Sequence, residues 1–156
     1  MIPPGALVLT GMADIQANRI EWAVYGWGIG MTGWLVEHGQ CPGDTGGDEP
    51  WQALDQVIRR QFTDARGRSW PIEAFGIDSG FQTQQVYRFC RNRAGVFALK
   101  GMGGHLVPIM GTPSQQGVRD PRTKAIRGRV AVYPLGTWQA KSWVYAALRR
   151  TLEGPD

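Results

Sequence analysis

Phe75-Gly76-Ile77-Asp78-Ser79-Gly80 closes a short apolar run that starts at Ile72 and is broken only by Glu73 and Gly76. Runs of this length, ending in small residues, read as buried strands, and the Ser-Gly pair allows a tight turn into a following helix. An aspartate at the carboxyl end of a central strand points into the crevice where α/β sheets bind their ligands. A second segment has the same grammar: Ala6-Leu7-Val8-Leu9-Thr10-Gly11-Met12-Ala13-Asp14. If these two strands are neighbours, their two carboxylates stand side by side.

The chain around them has 156 residues, enough for one domain with a real core. Its apolar share is ordinary and its charge modest, which excludes a disordered polyelectrolyte. Seven tryptophans imply a large aromatic core, a stacking surface, or both. A net charge of +4 and a pI near 9.4 lean toward a polyanionic partner. Cys41 and Cys90 stand far apart with no CxxC spacing, so they read as reduced, partly buried thiols. Met1-Ile2-Pro3-Pro4-Gly5 lacks the form of a signal peptide, and no apolar run reaches the ~20 residues of a membrane span. A soluble intracellular protein, with no membrane partner, is expected.

Taken in order, Ala6–Asp14 reads as a first strand and Gln16–Arg19 as a turn. Ile20–Trp27 reads as a second strand, with Ile20, Trp22, Val24 and Gly26 alternating against Glu21, Ala23, Tyr25 and Trp27. Met31–Cys41 forms a third, with Trp34, Val36 and His38 on one face; together the three make an antiparallel meander. Asp48-Glu49-Pro50 starts a helix, Asp48 as its cap, with Trp51, Leu54, Ile58 and Phe62 at helical spacing and Arg66-Gly67-Arg68 as its end. The strand carrying Asp78 follows, then a helix from about Thr83 to Arg93 with Val86, Phe89 and Cys90 inward. Val96–Leu99 is a fifth strand. From Lys100 to about Arg129 glycine and proline rule out long regular elements, and a loop this long is functional or disordered. Ala131–Tyr133 reads as a short strand or link. Trp138 to about Leu152 reads as a last helix with Ala140, Val144, Ala147 and Leu148 as a buried stripe.

The order β-β-β-α-β-α-β-loop-α predicts a mixed five-stranded α/β sheet flanked by helices. It resembles the ribonuclease-H-like fold, in which the first and fourth strands are adjacent. Two carboxylates within a few Å repel unless a cation holds them, and a hard divalent ion satisfies both while leaving room for water and phosphate. Two such ions ~4 Å apart clamp the attacking and leaving oxygens of a phosphodiester. The competing reading is structural: Asp14 caps a turn beside Asn18, and Asp78 caps the helix starting near Phe81.

The segments Leu9-Thr10-Gly11-Met12-Ala13-Asp14-Ile15-Gln16, Arg19-Ile20-Glu21 and Gly26-Trp27-Gly28 resemble the C-terminal nuclease domain of the terminase large subunit of lambda-type tailed phages. So do Ile77-Asp78-Ser79-Gly80, Val86-Tyr87, Phe89-Cys90, Lys100-Gly101, and Tyr133-Pro134-Leu135-Gly136 with Lys141. Their order holds across nearly the whole chain. The resemblance implies a ribonuclease-H-like DNA endonuclease dependent on Mg²⁺ or Mn²⁺, two ions in all, cutting concatemeric viral DNA during genome packaging in the cytoplasm of a bacterial host. Asp14 and Asp78 match two of the family's metal-binding acids, and so are the catalytic candidates. Double-stranded DNA, the terminase ATPase domain, the small terminase subunit and the portal protein are the implied partners. No GxxxxGK[ST] occurs, so no ATPase domain is expected within 1–156. The family's third acid lies downstream of the last helix, beyond Asp156, and Trp138 stands where relatives often carry an acid. On this reading residues 1–156 form a single nuclease domain lacking its final segment.

A basic stretch of Arg119, Arg122, Lys124, Arg127, Arg129, Lys141, Arg149 and Arg150 encloses a single acid, Asp120. It reads as a phosphate-contacting rim, or else as a solvated surface or a contact with another packaging subunit. Lys100, at the end of a buried strand, either faces the scissile phosphate or snorkels out of the core. His105 and His38 read as ordinary loop and strand residues. Asp120 and Glu37 are candidate surrogates for the third acid, and Trp27 and Trp34 read as packing rather than stacking on bases. The rival functions are a catalytically incomplete module that binds DNA or a portal, and another ribonuclease-H-like nuclease such as a junction resolvase.

Overall fold

The computed structural model of the protein describes residues 1–153, excepting the side chains at 147 and 150–153. In β1 (Val8–Ile15), Leu9, Gly11, Ala13 and Ile15 are buried, while Thr10, Met12 and Asp14 face the other way. β2 (Arg19–Trp27) repeats the alternation, with Ile20, Trp22, Val24 and Gly26 buried. After a turn of 3-10 helix comes β3 (Gly33–Pro42), antiparallel to β2. Next are α1 (Glu49–Arg59), a small hairpin of β4 (Phe62–Thr63) and β5 (Ser69–Trp70), then β6 (Ala74–Asp78), α2 (Thr83–Cys90) and β7 (Val96–Met102). β8 (Ser114–Arg119), β9 (Ile126–Gly136) and α3 (Thr137–Glu153) end the described chain.

The main sheet has the order β3-β2-β1-β6-β7-β9-β8. The β1, β6, β7 and β9 strands run parallel, whereas β3-β2-β1 and the β8–β9 pair are antiparallel. This is the expected mixed α/β arrangement, compatible with a ribonuclease-H-like fold, but with seven strands in the main sheet rather than five. The two extra strands are β8, within the stretch expected to be a loop, and β9, which extends the expected short strand or link at Ala131–Tyr133 back into that stretch. Val118, Val130 and Val132 are the buried apolar side chains of this edge hairpin, and Gly117 and Gly128 sit within the pairing, so its apolar alternation is too thin to read.

One sheet face forms the core with α1 and α2. Phe75, Leu9, Ile20, Ile77 and Val24 are fully buried against Leu54 and Val86, and Trp51 of α1 meets Phe89 of α2 at 5.2 Å between ring centres. Arg93 donates to Asp55 at 2.7 Å and lies over the Phe89 ring, which ties the end of α2 to α1. Phe62 is not on α1, which ends at Arg59; it starts β4 and reaches the core from there. Asp48 precedes α1 without a side-chain cap bond, and Arg66–Arg68 close the β4–β5 turn around Asp64.

The opposite face is open. α3 stands over it without closing on it, leaving a groove of about 700 Å³ walled by Met12, Trp27, Phe97, Tyr133 and Leu135, with Ala140 and Val144 across from them. The stripe expected to be buried on α3 is exposed instead: Ala140 is open, Val144 is 56% exposed and Leu148 54%, while the side chain of Ala147 is outside the described residues. Trp143, Val144 and Tyr145 are consecutive, so the apolar residues of α3 point in several directions and no single face is closed against the sheet.

Candidate functional site

Both aspartates lie at the carboxyl ends of their strands on the open face, Asp78 last in β6 and Asp14 next to last in β1. β1 and β6 pair in parallel through Met12 with Gly76 and Ala13 with Ile77, and the next position along each strand carries Asp14 and Asp78. Neighbouring strands lie ~4.8 Å apart, so the two carboxylates project side by side. Ala13 and Ile77 are buried beneath them, which fixes the register, since a slip of one residue would turn both acids into the core. Two buried hydroxyls brace the strand ends. Ser79 donates its Oγ–H to the Leu99 carbonyl at 2.6 Å and its N–H to the same oxygen, pinning the exit of β6 to β7. Thr45 donates its Oγ–H to the Gln16 carbonyl at 2.6 Å, holding the turn that follows Asp14.

Asp78 accepts a hydrogen bond from the Gly80 N–H at 3.2 Å, and Asp14 one from the Gln16 side chain at 3.4 Å. Neither is in an ion pair among the described residues. Asp78 does not cap α2: that helix begins at Thr83 after Gln82, with no side-chain cap bond. The turn after Asp14 is closed by Gln16 N–H and the Arg19 carbonyl, not by the Asp14 side chain. Both carboxylates therefore keep acceptor capacity directed to solvent.

They share a cleft of about 440 Å³ with three residues to which sequence reasoning gave no role there: Glu21, Gln40 and His38. Glu21 lies directly opposite Asp14 in the β1–β2 ladder. Arg19 donates its Nε–H to Glu21 at 2.7 Å, and Gln40 adds a contact at 3.4 Å. The signal for Glu21 was a charge at an open-face position of an apolar strand, legible only once its register against Asp14 is known. His38 was expected on the face of Trp34 and Val36. The β2–β3 register jumps between Val24 and Tyr25, leaving Val36 as an extra residue, and this bulge turns His38 to the open face opposite Ala23.

The other predicted site residues are dispersed. Lys100 follows Leu99, the partner of Asp78, but strand alternation puts it on the face of Val96 and Ala98, where its side chain is exposed. Arg119, Arg122, Lys124, Arg127 and Arg129 form the exposed tip of the β8–β9 hairpin. Asp78 is level with Leu99 and thus with Tyr133, so Arg129 is two strands across and four residues toward the opposite end, ~16 Å away by strand spacing. Lys141 is exposed on α3, which leaves the sheet at the end where the acids lie; Arg149 is exposed further along it, and the side chain of Arg150 is outside the described residues. Asp120 is occupied at the hairpin tip: hydrogen bonds from the Thr123 and Arg122 N–H groups, at 2.9 Å each, are the main cause holding its carboxyl below the ordinary range, with Arg127 3.6 Å away. Glu37 pairs with Arg60 at 2.7 Å. His105 packs edge-on against Trp138, outside the acid cleft. Trp27 donates to the Thr10 hydroxyl at 2.7 Å and stacks with Tyr25, and Trp34 is partly buried against the core.

An independent comparison matches residues 1–156 to the family of the terminase large subunit gpA endonuclease domain. The chain belongs to this family. It is 23% identical over 158 aligned residues to the terminase large subunit of Escherichia phage lambda, which covers 99% of this chain and 23% of that protein. To the terminase large subunit of Enterobacteria phage P21 it is 27% identical over 148 residues, or 95% of this chain and 22% of that one. The chain thus spans less than a quarter of the length of these relatives. No solved structure matches it. Among the described residues of this terminase nuclease domain, no three His, Cys, Asp or Glu side chains are already gathered around a common point. Two adjacent carboxylates without cationic partners among the described residues do fit a hard divalent ion, since oxygen donors of this charge suit Mg²⁺ or Mn²⁺ and leave sites for water and phosphate.

Proposed function

We propose that this chain is a metal-dependent DNA endonuclease that cuts concatemeric viral DNA during genome packaging, with Asp14 and Asp78 as the residues that hold Mg²⁺ or Mn²⁺. The observation that carries this is the placement of two carboxylates, without ion-pair partners among the described residues, at the ends of adjacent parallel strands in one cleft. Bound there, divalent ions would supply a polarised phosphate and an activated water. The protein's part is positional. Ser79 and Thr45 fix the strand ends, and Asp78 is further oriented by the Gly80 N–H. No side-chain nucleophile is called for: the Ser79 hydroxyl is buried and committed to Leu99, and both thiols are buried.

DNA would lie along the open face. Lys141 would contact phosphates near the acids, while Lys100, exposed at the same end of the sheet but on the other face, would add attraction at longer range. Arg129 would reach a phosphate about five base pairs away, since ~16 Å corresponds to that rise along one strand, and Arg119, Arg122, Lys124 and Arg127 phosphates further out. The ATPase region of the large subunit, the small terminase subunit and the portal are the partners that packaging calls for, and the bacterial host cytoplasm is where it takes place. No described helix is long and apolar enough to cross a membrane.

The absence of a preassembled third ligand among the described residues favours one rival: a module that binds DNA or a portal without cutting. Supercoiled plasmid incubated with the chain in Mn²⁺, beside Asp78→Asn and a chelator control, separates the two. Relaxation that disappears in the variant and with chelator supports the nuclease. Retention of plasmid in a mobility shift without any relaxation supports the binding module.

A further inference from the structure

A third carboxylate lines the same cleft as the acid pair, and one arginine is paired with it. Asp14 is the middle residue of a row across three strands, with Asp78 on one side and Glu21 on the other. All three line the same cleft. Glu21 is only partly exposed, and its Oε1 accepts from the Arg19 Nε–H at 2.7 Å and the Gln40 amide at 3.4 Å. Arg19 in turn donates to the Asn18 side chain at 3.1 Å, which anchors the guanidinium at the β1–β2 turn. The surrogates considered from sequence are excluded by place, since Asp120 is tied into the hairpin tip and Glu37 is paired with Arg60.

We propose that Glu21 is an additional carboxylate of the divalent-ion site, supplied by β2, and that Arg19 is the positioning residue that holds Glu21 aside until the ion arrives. This rests on the metal-site reading of Asp14 and Asp78 and extends it to a residue on β2. The chemistry is a competition. A guanidinium and a divalent cation both bind the carboxylate, and a partly exposed pair in water is weak enough to exchange. Glu carries one more methylene than Asp, so its carboxylate reaches along the cleft while its backbone stays in the ladder. With Arg19 as partner the row is neutralised in part, which limits repulsion among three acids before metal binds.

Titration of the chain with Mn²⁺ alone, read by calorimetry and by the metal-induced rise in melting temperature, tests this without reference to cutting. Glu21→Gln should weaken Mn²⁺ binding about tenfold or more, as loss of one charged oxygen ligand does. Arg19→Gln should strengthen it, and the double variant should return to the weak affinity of Glu21→Gln. Glu73→Gln, an exposed acid at the far end of β6, is the control. Melting of each variant in chelator checks its folding. Unchanged Mn²⁺ affinity in a folded Glu21→Gln, with loss in Asp14→Asn and Asp78→Asn, overturns the role of Glu21 and leaves the acid pair standing. Absence of Mn²⁺ binding by the unmodified chain overturns both.

Discussion

Asp14 faces Glu21 across the antiparallel β1–β2 ladder, and Asp78 flanks it on the parallel side, so one strand end sits between two like charges. Like charges placed opposite one another on adjacent strands destabilise by a fraction of a kcal/mol. In chelator, Asp14→Asn should therefore melt about 1–2 °C higher than the unmodified chain, equivalent to about 0.5 kcal/mol at this size. In Mn²⁺ the order should reverse, because only the unmodified chain gains stability from the ion. Paired melting curves check both signs.

The β8–β9 hairpin tip is predicted to act on affinity and not on metal. Replacing Arg122 and Lys124 by Gln should weaken duplex DNA binding alike for all sequences, and lower the slope of log affinity against log salt by about two. Mn²⁺ titration of the same protein should be unaltered, since the tip lies at the other end of the sheet from Asp14 and Asp78. A salt series of mobility shifts measures the slope. An unchanged slope would make the tip a surface for some other partner.

The sequence made legible what strand alternation and strand ends encode. Leu9, Ala13 and Ile77 mark the inward face, and Asp14 and Asp78 follow from them at the exits of the two strands. Relations that depend on register were hidden. Glu21 gains its meaning only from its pairing with Asp14, and His38 changes face because of one bulged residue at Val36. The β8–β9 hairpin was hidden for another reason, since an edge pair rich in Ser, Gln, Gly and Arg buries too little to show a period. α3 misled in the opposite direction: apolar residues at helical spacing suggest a buried stripe, but Val144 faces a groove that is open and Leu148 is exposed.

Gly11 shows how closely β1 is packed under the acids. A Cβ there would run into the ring of Phe75, which is itself fully buried on β6. Gly11→Ala should cost about 1–3 kcal/mol and lower the melting temperature accordingly. Because relief requires β1 and β6 to shift against each other, Mn²⁺ affinity should fall with it, although Gly11 carries no ligand. A variant that melts lower and binds Mn²⁺ normally would show that Phe75 yields locally.

Cys41 and Cys90 should be inert in the folded chain. Burial pushes the Cys90 thiol up to about 12, with Arg93 opposing only in part, and burial raises Cys41 against a weaker opposing contact from Trp22. Thiolate is the reactive form, so a disulfide reagent at pH 8 should modify neither residue until denaturant is added, and both afterwards. Rapid labelling of the native protein would contradict the packing of α2 and β3.

Acid should loosen the β4–β5 hairpin before the sheet. Partial burial of Asp64 opposes its ionisation, but this is outweighed by hydrogen bonds from the backbone and guanidinium of Arg68, the Arg66 N–H and the Trp70 indole, which hold its carboxyl down at about 2. An unfolded aspartate titrates near 3.9, so between that value and about 2 the unfolded chain binds the extra proton. The stabilisation is complete above about pH 4 and is lost as pH falls toward 2. Asp64→Asn should therefore lower stability at pH 6 and flatten its decline between pH 4 and 2. Urea midpoints at pH 6, 4 and 2.5 measure this. Parallel decline of variant and unmodified chain over that interval would assign the acid sensitivity to other carboxylates.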